Sequence, residues 1–283
     1  MKLNDIYLNA VRTLDESNIE NASFEVKELI KHLLKLSETE FLLKRFDDFD
    51  DAFVNELNES LIRRISGEPV QYIIGEWDFM GNTYKVGEGV LIPRPETELL
   101  CQYVIDELKC SGKSVIYDLC SGSGCIAISL KLFLPQSDVF AVEKSGKAFE
   151  YLRYNNEALC GKNAVNALNG DIFDIESYYK LPLADVIVSN PPYIKKSEIP
   201  SLQSEVLREP EMALDGGDDG LDFYRFIISE WKARLKPDGF FAFECGEDQS
   251  DDITDILNLN GFDSTVIKDY NDINRIVIGR RKN

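Results

Sequence analysis

The tetrad Asn190-Pro191-Pro192-Tyr193 follows directly on the apolar run DVIVS, and its composition suits one chemical task. Proline has no N–H and a fixed φ, so two in succession stiffen the segment and leave carbonyl oxygens free to accept. Asn190 adds a side-chain oxygen beside them. A planar NH₂ group carries two N–H donors in one plane, and the Asn190 oxygen with the Pro191 carbonyl can take both, with Tyr193 lying against the planar face. The nitrogen of an amide or arylamine is a poor nucleophile because its lone pair is delocalised. Holding both hydrogens pushes it toward tetrahedral geometry and aims the lone pair at an electrophile. Acceptors fixed in advance also stabilise the positive charge that develops on nitrogen, each contributing about 3 kcal/mol in a dry site, and positioning supplies much of the rest. No base is needed before transfer, which suits a chain whose single histidine, His32, sits in the helical run KELIKHLLKL.

A second group of residues points to a nucleoside. The run SVIYDL leads into Cys120-Ser121-Gly122-Ser123-Gly124 and then into the apolar helix CIAISLKLF. A glycine-rich turn between strand and helix lets backbone amides and the helix N-terminus approach a ligand closely. The next strand ends in Glu143, placed to accept hydrogen bonds from two ribose hydroxyls. After the third strand, Asp171 can accept from an adenine amino group and Ile172 can wall its ring. NAD and S-adenosylmethionine both satisfy this pattern. Cys125 and Ile126 stand where G-x-G-x-x-G would continue to its third glycine, which weakens the dinucleotide alternative.

These residues need a frame, and the apolar pattern supplies one. From 1 to about 75 apolar residues recur with helical period (Leu3, Ile6, Tyr7, Ala10, Val11, Leu14, then Val26, Leu29, Ile30, Leu33, Leu34), and Ser37 with Glu40 reads as a capping box. This segment is expected to be a small helical bundle. Residues 76–98 carry β-prone residues, a Gly81-Asn82 turn and a Pro-Arg-Pro break, read as a hairpin linking two domains. Residues 99–283 alternate helices with the runs SVIYDL, DVFAVE, AVNALNGD, DVIVSN, GFFAFE, STVIKD and RIVIGR. Such alternation implies a mostly parallel sheet covered on both faces. Only a short polar turn joins the last two runs, so that pair must be antiparallel, and the whole is similar to the class I methyltransferase fold.

Composition limits the partners. The 283 residues include 50 acidic and 31 basic side chains, for a net charge of −19, divided as −6 over residues 1–75 and −13 over the rest. A surface this acidic repels phosphate backbones on average, so nucleic acid is a poor default substrate. The six cysteines form no C-x-x-C pair, which suits reduced thiols rather than disulfides or zinc, and no metal is expected. No run reaches the length of a membrane span and the N-terminus lacks a signal-peptide pattern. A cytoplasmic protein is expected. The acidic stretch 47–51 is read as a solvated loop.

Nearly the whole chain resembles the protein-(glutamine-N5) methyltransferases that modify peptide chain release factors. The resemblance rests on GEPVQYIIGEWDFMGNTYKV (67–86), VLIPRPETE (90–98), DLCSGSG (118–124), SNPPYI (189–194), REPEMALDGGDDGLDFYR (208–225) and RIVIGRR at the C-terminal end. It implies S-adenosylmethionine as methyl donor and, as substrate, the glutamine of the Gly-Gly-Gln loop of bacterial release factors 1 and 2, with the protein a monomer. It places the cofactor turn on Cys120, Ser121, Gly122, Ser123 and Gly124, the ribose acid on Glu143, the adenine wall on Ile172, and the glutamine clamp on Asn190, Pro191, Pro192 and Tyr193. The family usually has glycine at position 120 and often an aromatic residue at 172, so a thiol there points away or loosens the approach, and stacking on adenine weakens. Arg94 and Glu96 are read either as shaping the substrate or cofactor mouth or as a rigid interdomain corner held by a salt bridge. The loop Asp215–Asp219 is read either as a lid or partner contact or as a solvated turn, and the N-terminal bundle is read as the part that recognises protein.

Three other functions compete. Adenine N6-methyltransferases share the Asn-Pro-Pro-Tyr tetrad and would use it on a flipped base, but they call for a basic face. A nucleoside-binding sensor shares the sheet, yet has no need for two acceptors converging on an NH₂ group. An NAD-dependent oxidoreductase lacks an evident acid/base partner.

Overall fold

A computed structural model of the chain describes residues 1–162 and 164–282. The chain divides into two compact units, one of Met1–Glu76 with Gln203–Arg208 and one of Trp77–Leu202 with Glu209–Asn283. The first unit holds α1 (Leu3–Glu16), α2 (Ala22–Leu34), α3 (Glu38–Leu43), α4 (Asp51–Ile65) and α5 (Val70–Ile74). Their apolar stripes meet in one core that includes Leu3, Leu14, Val26, Ile30, Leu57 and Leu61. Ser37 and Glu40 form the expected capping box at α3. Asp50, within the stretch expected to be a solvated loop, accepts from Phe53 N at 3.0 Å and so caps α4, while Phe49 packs on the core. Buried Arg64 of α4 is held by Glu25 at 2.6 Å and Glu205 at 3.1 Å, which ties the 203–208 segment to this unit.

The hairpin is β1 (Glu76–Phe79) and β2 (Asn82–Lys85). Its turn sits on Met80 and Gly81, with φ of 50° and 73°, one residue earlier than expected. Positive φ at both central positions gives the turn the twist of the flanking strands, and that leaves Asn82 as the first residue of β2.

The second unit continues with α6 (Pro95–Leu108), β3 (Val115–Leu119), α7 (Cys125–Phe133), β4 (Asp138–Glu143), α8 (Gly146–Cys160), β5 (Asn166–Asn169) and β6 (Ala184–Ser189). Next come α9 (Asp222–Phe226), β7 (Leu235–Glu244), α10 (Ser250–Leu259), β8 (Phe262–Lys268) and β9 (Asn274–Arg281). The seven expected strands form one sheet in the order β5-β4-β3-β6-β7-β9-β8. It is parallel from β5 to β7, and β9 pairs antiparallel with both β7 and β8.

Alternating side chains face opposite sides of a strand, and both sides are covered. Ile116, Val139, Ala141, Val188 and Ala242 pack with residues of α6, α7 and α8. Tyr117, Leu119, Val142, Ile187 and Phe243 pack with residues of α9, α10 and the helical turns around Trp231. Burial on both faces is why these strands read as continuous apolar runs rather than alternating ones.

The order reverses at β3, whose chain leaves toward β4 and returns on the other side as β6. Ligands of open α/β sheets bind in the crevice this reversal leaves at the carboxyl ends of the strands.

Candidate active site

Strand register assembles the site. Leu119 pairs with both Val142 and Ser189, Ser189 pairs with Phe243, and Glu143 pairs with Asn169. The residues that follow the last buried pairs therefore form a row across five parallel strands: Asn169, Glu143, Cys120, Asn190 and Glu244. A cavity lined by Glu143, Cys120 and Asn190 of this row opens at the carboxyl ends of these strands, where open α/β sheets bind small molecules.

Of the residues singled out in the sequence, Cys120, Ser121, Gly122, Ser123, Glu143, Asp171, Ile172, Asn190 and Pro192 line the cavity, whereas Gly124, Pro191 and Tyr193 do not. Gly124 starts α7 at φ 82°, where a Cβ would lie 2.3 Å from Leu152 Cδ1, so its glycine serves close packing. The Tyr193 ring packs on the sheet-side apolar cluster, and its carbonyl accepts from Gln249 Nε2 at 2.9 Å.

Cys120 adopts φ 63°, the left-handed region in which a side chain costs about 1–2 kcal/mol. The backbone thus takes the course that glycine would allow, and the thiol packs on the apolar cluster around Tyr117 and Leu119. Gly122 lies at φ 54°, and a Cβ there would meet no atom within 4 Å. The turn is braced from below by Ser121 Oγ, which donates to Asp118 O at 2.8 Å, and by Asn155 Nδ2, which donates to Ser123 O at 2.9 Å.

Glu143 accepts from Gly122 N at 2.8 Å and Ser145 N at 2.6 Å. Burial raises its pKa, and the amides of Ser145, Gly122 and Lys144 work against the rise. These amides point the carboxylate at the cavity while each oxygen keeps a lone pair for a further donor. Asp171 is more committed: it accepts from Phe173 N at 3.0 Å and pairs with Lys144 at 2.7 Å. Burial acts to raise its pKa, and the Lys144 ammonium with the Phe173 amide lowers it below the usual value. Ile172 is a buried part of the wall, and Phe223 of α9 adds an aromatic ring to the same cavity. The cavity wall thus carries an aromatic ring from α9, while position 172 supplies an aliphatic side chain.

Asn190 donates through Nδ2 to Thr97 Oγ1 at 3.2 Å, and Thr97 Oγ1 donates to Glu244 Oε2 at 2.5 Å. With its NH₂ committed to Thr97, Asn190 is left with its oxygen as the free acceptor. Burial pushes the Glu244 carboxyl up to about 7, opposed by the Thr97 hydroxyl and by Arg275. Asp118 is likewise pushed up to about 7 by burial, and its Oδ1 has no hydrogen-bond partner.

Two segments left with alternative readings lie near the tetrad. Arg94 lines the cavity and pairs with buried Glu209, whose Oε2 also accepts from Ile92 N at 2.9 Å. The salt bridge and the shaping of the mouth are therefore one feature. The loop Asp215–Asp219 lies against the Asn-Pro-Pro-Tyr segment: Gly216 N donates to Ile194 O and Ile194 N to Leu214 O, each at 2.9 Å. Gln249 Nε2 holds both Tyr193 O and Gly220 O. Asp215 accepts from Gly217 N and lies 4.0 Å from the Lys196 ammonium, Asp219 pairs with Arg225, and Asp218 and Asp219 are exposed.

Thr97, Glu209, Phe223, Glu244 and Gln249 were not marked by the sequence analysis. Glu244 carried a usable signal, since it ends GFFAFE as Glu143 ends DVFAVE, an acid at the carboxyl end of a buried strand. Thr97, Glu209 and Phe223 lie within the segments VLIPRPETE and REPEMALDGGDDGLDFYR, where the resemblance marked the segment but not the residue, and Gln249 carried no signal.

Residues 5–75 match the model of the PrmC N-terminal domain, and residues 96–219 match that of the methyltransferase small domain. A methyltransferase from Pyrococcus furiosus has the same fold, with a TM-score of 0.54 at 19% identity, covering 83% of this chain and 100% of that one. The release factor glutamine methyltransferase of Clostridium acetobutylicum is 34% identical over 285 residues, 99% of each chain. That of Thermodesulfovibrio yellowstonii is 38% identical over 258 residues, 90% of this chain and 91% of the relative. Likeness of this extent, spanning the bundle, the glycine-rich turn and the Asn-Pro-Pro-Tyr segment alike, shows that the chain belongs to the release factor glutamine methyltransferase family.

Proposed function

We propose that the protein transfers a methyl group from S-adenosylmethionine to the side-chain amide nitrogen of the glutamine in the Gly-Gly-Gln loop of class 1 peptide chain release factors. The observation that carries this reading is the Asn190 amide, turned by Thr97 so that its oxygen is the free acceptor, one strand away from the glycine-rich turn. Membership of the family supports the substrate. The open space at Gly122 and the carboxylate of Glu143, held by backbone amides, fit a nucleoside cofactor. When bound, S-adenosylmethionine supplies an electrophilic methyl group.

The residues of the chain do the rest. Glu143 accepts from the ribose hydroxyls, Ile172 and Phe223 bound the base, and Asp171 lies at the base edge. Asn190 Oδ1 accepts one N–H bond of the substrate amide at the cavity. The carbonyl of Pro191, next in the chain though outside the cavity lining, is the second acceptor of this proposal, and both stabilise the charge that grows on the nitrogen. Pro192 and Tyr193 hold that segment stiff. The proton leaves after methyl transfer, from a nitrogen already made acidic, so no strong base is required.

Several finer points belong to the same proposal. Release factors 1 and 2 are both substrates, the protein acts as a cytoplasmic monomer, and nucleic acid is not a substrate. No helix among the described residues is long and apolar enough to cross a membrane. The N-terminal bundle recognises the release factor, and the exposed Leu42, Leu43 and Phe46 around the end of α3 offer an apolar contact. Leu43→Asp with Phe46→Asp is expected to raise the KM for release factor about tenfold with kcat kept. An unchanged KM sinks this part.

The central test is methyl transfer from labelled S-adenosylmethionine to release factor, to its Gly-Gly-Ala variant, and to DNA and RNA, with the site read by mass spectrometry. Label on the glutamine of the wild-type factor alone is expected. Label on nucleic acid would move the protein to the adenine methyltransferases.

A further inference from the structure

Asn190 can hold an NH₂ group only with one end of its amide facing the substrate, and the residues that choose the end lie behind it. Thr97 and Glu244 are 2% and 1% exposed, so water cannot substitute for either. A hydroxyl has one proton to give, and the direction of the chain is decided at Glu244. Ionised Glu244 can only accept. Thr97 then donates to it, and the Thr97 oxygen takes the Asn190 NH₂, as observed. A protonated Glu244 Oε2 instead donates to the Thr97 oxygen. The Thr97 proton then turns to Asn190, whose oxygen swings round to accept it. Asn190 NH₂ now faces the substrate NH₂, donor against donor.

We propose that Thr97 and Glu244 are positioning residues that set the polarity of the Asn190 amide, and that a proton on Glu244 reverses it and switches the site off. The inference rests on the reading that Asn190 holds a substrate amide.

The surroundings leave Glu244 as the titrating member of the chain. Arg275 of β9 and Arg94 favour its ionised form, Glu96 of α6 opposes it, and burial is the largest influence. Tyr193, Tyr224 and the thiols of Cys101, Cys125 and Cys245 also feel its charge, and burial raises the pKa of each, so all five stay neutral near pH 7. Asp118 also titrates near 7, so a limb in the pH profile must be assigned by substitution.

The experiment measures kcat for methyl transfer to release factor from pH 5.5 to 9, with S-adenosylmethionine affinity by calorimetry, for the wild type and three variants. Wild-type kcat is expected to rise through an acid limb near pH 7. Glu244→Gln has no proton to exchange, and it is expected to turn over at a reduced rate that is flat between pH 6 and 8. Thr97→Val should lose about 10- to 100-fold in kcat at every pH while binding S-adenosylmethionine as before. Thr97→Ser, which restores the hydroxyl, should recover most of that loss. An acid limb that survives in Glu244→Gln, a Thr97→Val enzyme within twofold of wild type, or a serine variant as slow as the valine one overturns the inference. No transfer to glutamine by the wild type at any pH overturns the reading of the site itself, and the inference with it.

Discussion

Gly216 offers the sharpest test of how the substrate clamp is held. A Cβ at this position would lie 2.7 Å from Tyr193 Cα, 2.8 Å from Pro192 O and 2.9 Å from Gly220 Cα. All three are backbone atoms, so no side chain can rotate away. Its φ lies outside the left-handed region, and the effect of Gly216→Ala is therefore steric rather than conformational. Ordinary contacts between carbon atoms fall near 3.5–4 Å, so relief requires the loop or the Pro192-Tyr193 segment to shift by roughly 1 Å. Overpacking of this kind costs about 1–3 kcal/mol, and a displacement of that size at a positioning group costs on the order of 100-fold in rate. The expected result is a kcat for release factor methylation lowered about 100-fold, a modest fall in Tm, and an unchanged Kd for S-adenosylmethionine by calorimetry. Gly146→Ala is the control, because a Cβ there meets nothing within 4 Å and the residue begins α8. It should leave kcat alone. A folded Gly216→Ala enzyme within threefold of wild type would refute the reasoning, as would loss of cofactor affinity in step with kcat.

Three further outcomes are expected. Asn190→Ala should lower kcat by about 100-fold or more while the Kd for S-adenosylmethionine stays within about threefold; equal loss in both would assign Asn190 to the cofactor. Glu143→Ala removes the ribose acceptor and should weaken S-adenosylmethionine about 10- to 100-fold, with much of the kcat recovered at saturating cofactor; an unchanged Kd places the ribose elsewhere. Asp118 is pushed from 3.8 up to about 7, so between those values the folded protein holds a proton that the unfolded chain has lost. Its contribution to stability is complete below pH ~4 and gone above ~7, at most about 4 kcal/mol. Urea midpoints should therefore fall from pH 5 to pH 8, less steeply in Asp118→Asn, and an equal slope in that variant removes Asp118 as the cause.

Local chemistry was legible in the sequence wherever neighbours in the chain act together. The glycine-rich turn, the stiff Asn190-Pro191-Pro192-Tyr193 segment, the acid ending a buried strand and the capping box at Ser37 each need only a few consecutive residues. The apolar runs marked all seven strands: in β3, β4 and β6 burial on both faces leaves little room for polar residues, while the more exposed edge strands β5 and β8 showed through their short β-prone runs. The hairpin turn was misplaced by one residue, since Asn82 and Met80 compete for the same role and strand pairing decides between them.

What the tertiary structure alone decided is how distant residues meet. Glu244 reaches Asn190 only because β7 pairs with β6 in a register that sets Phe243 beside Ser189, and Thr97 joins them from a helix 93 residues before Asn190. Glu209 meets Arg94 across 115 residues, Phe223 of α9 supplies an aromatic ring to the cavity wall, and the loop around Gly216 packs against the backbone of the clamp. The residue types of the chemistry are written in short segments, since each transfer or binding step needs particular atoms. The direction of the Asn190 amide is not written there, because it depends on one hydroxyl proton and one buried carboxylate that only the folded sheet brings within hydrogen-bonding reach.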